Sequence, residues 1–136
     1  MTHYVGIIDG QKDVWGVRIP DVPGCHGGGG TPEQALSDAV SALSEIADDL
    51  ARRGRSLPAA RTISECASDP AIRKDMSETD AFVLVPLIFE SGRPARANIS
   101  MDAGLLQAID SAAKRRGLTR SAFLASAARE KILSEV

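Results

Sequence analysis

Cysteine is scarce: Cys25 and Cys66 are the two in 136 residues. Two thiols cannot staple a small secreted scaffold, and neither has a second sulfur or histidine at ligand spacing apart from the adjacent His26, so no metal site is expected. Buried, idle thiols are the expectation. Histidine is equally rare, with His3 and His26 too few for a metal-sensing regulator. No apolar run approaches the roughly 20 residues needed to cross a bilayer. The opening Met1-Thr2-His3-Tyr4 lacks a basic region followed by an apolar one, so a cytoplasmic protein away from membranes is expected. The run Gly27-Gly28-Gly29-Gly30 lacks the Gly-Lys-Ser/Thr ending of a nucleotide loop. It reads as a tight turn or a bare edge strand, and no cofactor is expected. There is no internal repeat.

What is present is an ordinary globular composition, 43% hydrophobic and 25% charged. The length suits one small domain with a smaller appendage. The net charge of −2 hides an asymmetry. From Arg93 onward eight basic residues face four acidic ones, a net +4, whereas residues 1–92 hold eight basic and fourteen acidic, a net −6. A basic tail suits a polyanion, and an acidic front suits a basic partner.

The front begins with two strand patterns, His3 to Ile8 and Val14 to Ile19, joined by the polar, glycine-bearing Asp9 to Asp13. In the second, Trp15, Val17 and Ile19 share one face, and the two runs read as a hairpin. Pro20, Pro23 and Gly24 then force a bend. Thr31-Pro32-Glu33-Gln34 is a helix start with a capping threonine and proline at the first helical position. Leu36, Ala39, Val40, Leu43, Ile46, Ala47 and Leu50 form the apolar stripe of that helix, which reaches Arg53 before Gly54. Leu57-Pro58 and Arg61-Thr62-Ile63 read as an irregular return path, and Ser68-Asp69-Pro70 starts a short helix through Met76. Ala81 to Val85 reads as a buried strand that Pro86 ends or places at a sheet edge. Glu90 to Pro94 reads as a linker.

The tail has a different grammar. Alternation over Arg96 to Met101 puts Ala97, Ile99 and Met101 on one strand face and Arg96, Asn98 and Ser100 on the other. Two helical patterns follow. Asp102 caps the first, which carries Leu105, Leu106, Ile109, Ala112 and Ala113 and ends in Lys114-Arg115-Arg116-Gly117. Thr119 caps the second, whose stripe is Phe123, Leu124, Ala127, Ala128 and Ile132.

A lone strand leaves backbone groups unpaired on both edges, and nothing else in the tail reads as its partner. The same strand of a second chain, run antiparallel, would supply one. Arg96, Asn98 and Ser100 of both chains would then point outward from a two-stranded ribbon that fits the DNA major groove, where arginine forks onto guanine and asparagine onto adenine.

The tail resembles the ribbon-helix-helix family of dimeric DNA-binding proteins. Gly117-Leu118-Thr119-Arg120-Ser121 matches that family's bend, and the resemblance implies that Thr119, Arg120 and Ser121 grip a phosphate. A phosphate contact by Arg120 would add about one unit to the logarithmic salt slope of binding.

The front resembles the HicB antitoxin family through Trp15-Gly16-Val17-Arg18-Ile19-Pro20-Asp21-Val22-Pro23-Gly24-Cys25 and the helix opening Thr31-Pro32-Glu33-Gln34-Ala35-Leu36. The glycine run departs from relatives that carry polar residues there, and this bears on whether that strand is ordered. Resemblance implies an α+β protein, a partial ribonuclease H-like sheet with one long helix over residues 1–90 and a ribbon-helix-helix module over 93–136. It implies sequestration of a HicA-like, messenger-RNA-cleaving toxin, with Trp15 and Asp21 as candidate toxin contacts, and repression of its own operon. The partners implied are that toxin, operator DNA and a second copy of the chain, with larger assemblies left open. A ribonuclease H-like fold also raises catalysis, for which Asp9, Glu33, Asp38 and Glu90 are the candidate carboxylates. No converging third carboxylate is evident, so no enzyme is expected. The rival reading is a ribbon-helix-helix regulator whose front senses a small molecule.

Overall fold

The computed structural model describes residues 1–88 and 95–134. The described residues fall into two compact units, 1–88 and 95–134.

The first unit holds strands β1 (His3–Gln11), β2 (Val14–Arg18), β3 (His26–Gly29) and β4 (Ala81–Pro86), with helices α1 (Pro32–Arg52), α2 (Ile63–Ala67) and α3 (Pro70–Asp75). The sheet order is β3-β2-β1-β4 and every neighbouring pair is antiparallel. The hairpin is longer than its polar sequence suggested. Asp9, Gly10 and Gln11 pair with Gly16, Trp15 and Val14, so the turn shrinks to Lys12-Asp13, where Lys12 takes the left-handed φ of 55°. Ladder hydrogen bonds outweigh the weak strand propensity of those three residues.

Both sheet faces are covered in part. Val17 lies opposite Gly27, so the two share a face. A Cβ on Gly27 would come within 2.2 Å of the Ala39 amide nitrogen and 2.7 Å of the Ala35 carbonyl oxygen of α1. The glycines therefore order β3 as an edge strand: without side chains, α1 lies directly on its backbone. Ala35, Ala39, Val40, Leu43 and Ala47 of α1 are buried on that side. On the opposite face Val5 and Ile7 pack with Cys66 and Ile72, flanked by Met76, Phe82 and Leu84.

The return path after α1 is not wholly irregular. Thr62 and Glu65 form a reciprocal capping box that opens α2, with Thr62 Oγ1 accepting from the Glu65 amide at 3.2 Å and Glu65 Oε2 accepting from the Thr62 amide at 2.7 Å. The Thr-x-x-Glu signature was legible; the missing apolar period of so short a helix was what hid it. The short helix expected after Ser68-Asp69-Pro70 is α3, and Asp69 caps it, accepting from the Ala71 amide at 2.9 Å.

The second unit contains α4 (Ala103–Arg115) and α5 (Arg120–Ser134). Asp102 Oδ1 caps α4 through the Gly104 and Leu105 amides at 2.8 and 3.1 Å. Gly117, at φ 68°, ends it. Ile109 and Ala113 are buried in α4, but no residue of α5 is. Phe123, Leu124 and Ile132 are half-buried, while Ala127 and Ala128 are exposed, which corrects the fully buried stripe expected from the sequence. Two helices alone have too little surface to cover one another.

Candidate partner and nucleic-acid surfaces

In the first unit the bend after β2 is closed by its own backbone. Ile19 donates to the Cys25 carbonyl and Val22 to that of Ile19, both at 3.1 Å, and Gly24 adopts φ 84°. Asp21 is not presented outward. Its carboxylate is 8% exposed, with Oδ1 accepting from Arg61 Nε at 2.7 Å and Oδ2 from the Arg61 amide at 3.0 Å. Arg61 Nη1 also donates to Asp69 at 2.9 Å, so one guanidinium ties the bend to the start of α3. The Arg61 hydrogen bond, then the Ala71 amide, hold the Asp69 carboxyl below the usual carboxylate range. Tyr4 donates its hydroxyl to the Pro58 carbonyl, and burial above all raises its pKa.

Trp15 is half-buried at the hairpin end, over Gly10, with Nε1 donating to the Lys12 carbonyl at 3.0 Å. Cys25 and Cys66 are buried and free, as expected. Burial pushes the Cys25 thiol up to about 11, which keeps it protonated and unreactive at neutral pH.

Of the candidate carboxylates, Asp38 has other work. Asp38 Oδ2 accepts from the Gly28 amide at 2.9 Å, and Gln34 Oε1 from the Gly30 amide at 2.9 Å. These α1 side chains occupy one amide of β3 and one just past its end, which would otherwise stand open at the sheet edge, a guard the sequence reading missed. Among the described residues no group of three or more His, Cys, Asp or Glu could hold a metal ion. Glu90 lies outside the described residues. The outer face of α1 carries Glu33, Asp38, Glu45, Asp48 and Asp49, with no basic residue before Arg52.

In the second unit Arg96, Asn98 and Ser100 are all exposed, as are Ala97 and Ile99, the latter at 65%. The strands assigned among the described residues are β1 to β4, so the 95–102 run pairs with no strand of its own chain. Thr119 Oγ1 caps α5 by accepting from the Ala122 amide at 3.1 Å. Helix geometry leaves the Arg120 and Ser121 amides without an intrahelical acceptor. The Arg120 side chain is not free: Nε and Nη2 both donate at 2.8 Å to the two oxygens of Asp110. This fork holds the Asp110 carboxyl below its ordinary range. Sequence reasoning missed Asp110, ten residues upstream, because neither helix pattern announces it.

These are the features of a two-unit α+β protein with an acidic, enclosed front and a helical tail that leaves apolar surface open. The family model for HicB-like antitoxins of bacterial toxin-antitoxin systems matches residues 4–128. The chain is 32% identical over 129 residues to an uncharacterized 14.9 kDa protein in the rep-hol intergenic region of Haemophilus phage HP1, covering 93% of this chain and 95% of that one. Its structure is similar to the Burkholderia pseudomallei antitoxin HicB, with a TM-score of 0.52 at 28% identity over 97% of both chains. A chain of the HicA3 and HicB3 toxin-antitoxin complex shares the fold at 20% identity and a TM-score of 0.51, over 64% of this chain and 99% of that one. The chain belongs to the HicB-like antitoxin family.

Proposed function

We propose that this chain is the antitoxin of a type II toxin-antitoxin pair, that its first unit sequesters a HicA-like messenger-RNA-cleaving toxin, and that its second represses the operon encoding both. The observation that carries the reading is the family match, which runs through both units. A HicA partner is drawn from the similar HicA3 and HicB3 complex. The first unit is a partial ribonuclease H-like sheet serving as a binding surface. Its acidic helix face suits a partner built to hold RNA. Trp15 offers an accessible aromatic body, and Asp21 acts through Arg61 by keeping the bend in shape.

The second unit is a ribbon-helix-helix module. Residues 96–101 of two chains pair antiparallel, Ile99, Leu105 and Leu118 lose their exposure in the dimer, and Arg96, Asn98 and Ser100 read bases. Their exposure and the unpaired backbone around them support this. The first turn of α5, Thr119 to Ser121, faces a phosphate.

The test is co-expression with the short reading frame beside its own. Rescue of growth and co-purification of a stoichiometric complex are expected, together with selective retardation of duplex from the shared promoter. No complex and no promoter preference would end the proposal.

A further inference from the structure

The fork between Asp110 and Arg120 changes what Arg120 can do. Asp110 stands in the third turn of α4 and Arg120 is the first residue of α5, so the pair spans the whole Arg116 to Thr119 corner. Both guanidinium-to-carboxylate bonds are 2.8 Å, the bidentate geometry in which even an exposed ion pair has directional force. The corner is fixed on its other side as well. Leu118 donates to the Ala113 carbonyl at 2.9 Å, and the Arg116 guanidinium lies 5.9 Å from the Phe123 ring centre. The α5 direction is thereby tied to the body of α4.

A phosphate at the start of α5 could take Arg120 only by displacing a carboxylate. That carboxylate would remain beside the same phosphate and repel it. While the fork is closed, the paired charges nearly cancel, and the amides of Arg120 and Ser121 are what α5 offers an anion. Their aim depends on the helix direction, and the fork holds that direction.

We propose that Asp110 and Arg120 act as one positioning pair, aiming the first turn of α5 at a backbone phosphate without the Arg120 side chain touching it. This rests on the DNA-binding reading above and assigns a role to Asp110 that its distance in sequence conceals.

The two possible roles of Arg120 predict opposite signs for one substitution. With the full-length protein and a promoter duplex, Asp110→Asn opens the fork and leaves Arg120 free. If Arg120 were itself the phosphate ligand, Asp110→Asn would tighten binding, and Arg120→Gln would make the salt slope shallower by about one unit. If the pair positions α5, Asp110→Asn and Arg120→Gln each weaken binding by roughly tenfold, the double variant is no worse than either, and all slopes match wild type. Far-ultraviolet circular dichroism confirms that each variant is folded before binding is compared. Tighter binding by Asp110→Asn, or additive losses in the double variant, would overturn the pair. A wild-type chain that binds no duplex would remove the DNA reading and this inference with it, a different result from a wild type that binds and is indifferent to the fork.

Discussion

Replacing Gly27 by alanine puts the packing of the first unit to a quantitative test. The added Cβ would stand 2.2 Å from the Ala39 nitrogen and 2.7 Å from the Ala39 Cα and the Ala35 carbonyl oxygen, where ordinary contact begins at 3.4 Å. The obstacles are helix backbone, not side-chain ends that can swing aside. Relief therefore requires α1 to back off β3 by about 1 Å, which a close-packed interior resists. Overpacking costs roughly 1–3 kcal/mol when side chains can adjust, so about 3 kcal/mol is expected here. For a unit of this size that lowers Tm by on the order of 12–24 °C. Gly28→Ala is the control: its Cβ would meet only the Trp15 carbonyl oxygen, at an ordinary 3.5 Å, and should change stability by less than about 1 kcal/mol. Urea unfolding followed by fluorescence of the single tryptophan, Trp15, reports on this unit. Equal midpoints for the two alanine variants would refute the direct seating of α1 on the glycine strand.

Further consequences are open to measurement. Gln34→Ala with Asp38→Ala uncovers the Gly28 and Gly30 amides, so light scattering should detect concentration-dependent association; wild-type behaviour up to high concentration would show that the two side chains do not guard the edge. Asn98→Ala should cost about 1–3 kcal/mol on promoter DNA while leaving the proposed dimer intact, and unchanged discrimination against random duplex would exclude base reading by that residue. Asp69 and Asp110 both have depressed folded pKa values, so their contribution is fully present above the unfolded carboxylate pKa of about 4 and is lost as pH falls through the folded values. Acid titration of Asp69→Asn should accordingly show a smaller loss of stability below about pH 4 than wild type; parallel profiles would mean that the Arg61 pairing is energetically silent.

The regular elements were legible because local chemistry declared them. Thr31-Pro32, Asp102 and Thr119 are caps whose side chains accept the expected amides or open the expected helices, and Gly54 and Gly117 take the left-handed angles that stop them. The apolar stripe of α1 survived into the structure because that helix lies on a sheet. The stripe of α5 did not, since its single-chain surroundings offer too little surface to cover it. What the sequence concealed were relations between distant residues of modest character. Arg61 reaches back forty positions to Asp21 and turns a candidate contact residue into an internal strut. Asp38, weighed as a catalytic carboxylate, caps an edge-strand amide, and Asp110 occupies the arginine expected to meet phosphate. Periodicity carries no trace of such pairings, because a single ion pair leaves no repeat.

The most direct measurement of the whole account is messenger-RNA cleavage by the HicA-like toxin proposed as its partner, purified as the product of the short reading frame that the proposal expects beside this chain's own and titrated with the full-length protein. Cleavage should fall in proportion to added chain and cease at the stoichiometry of the complex. Undiminished cleavage at a large molar excess, with both proteins folded, would contradict it.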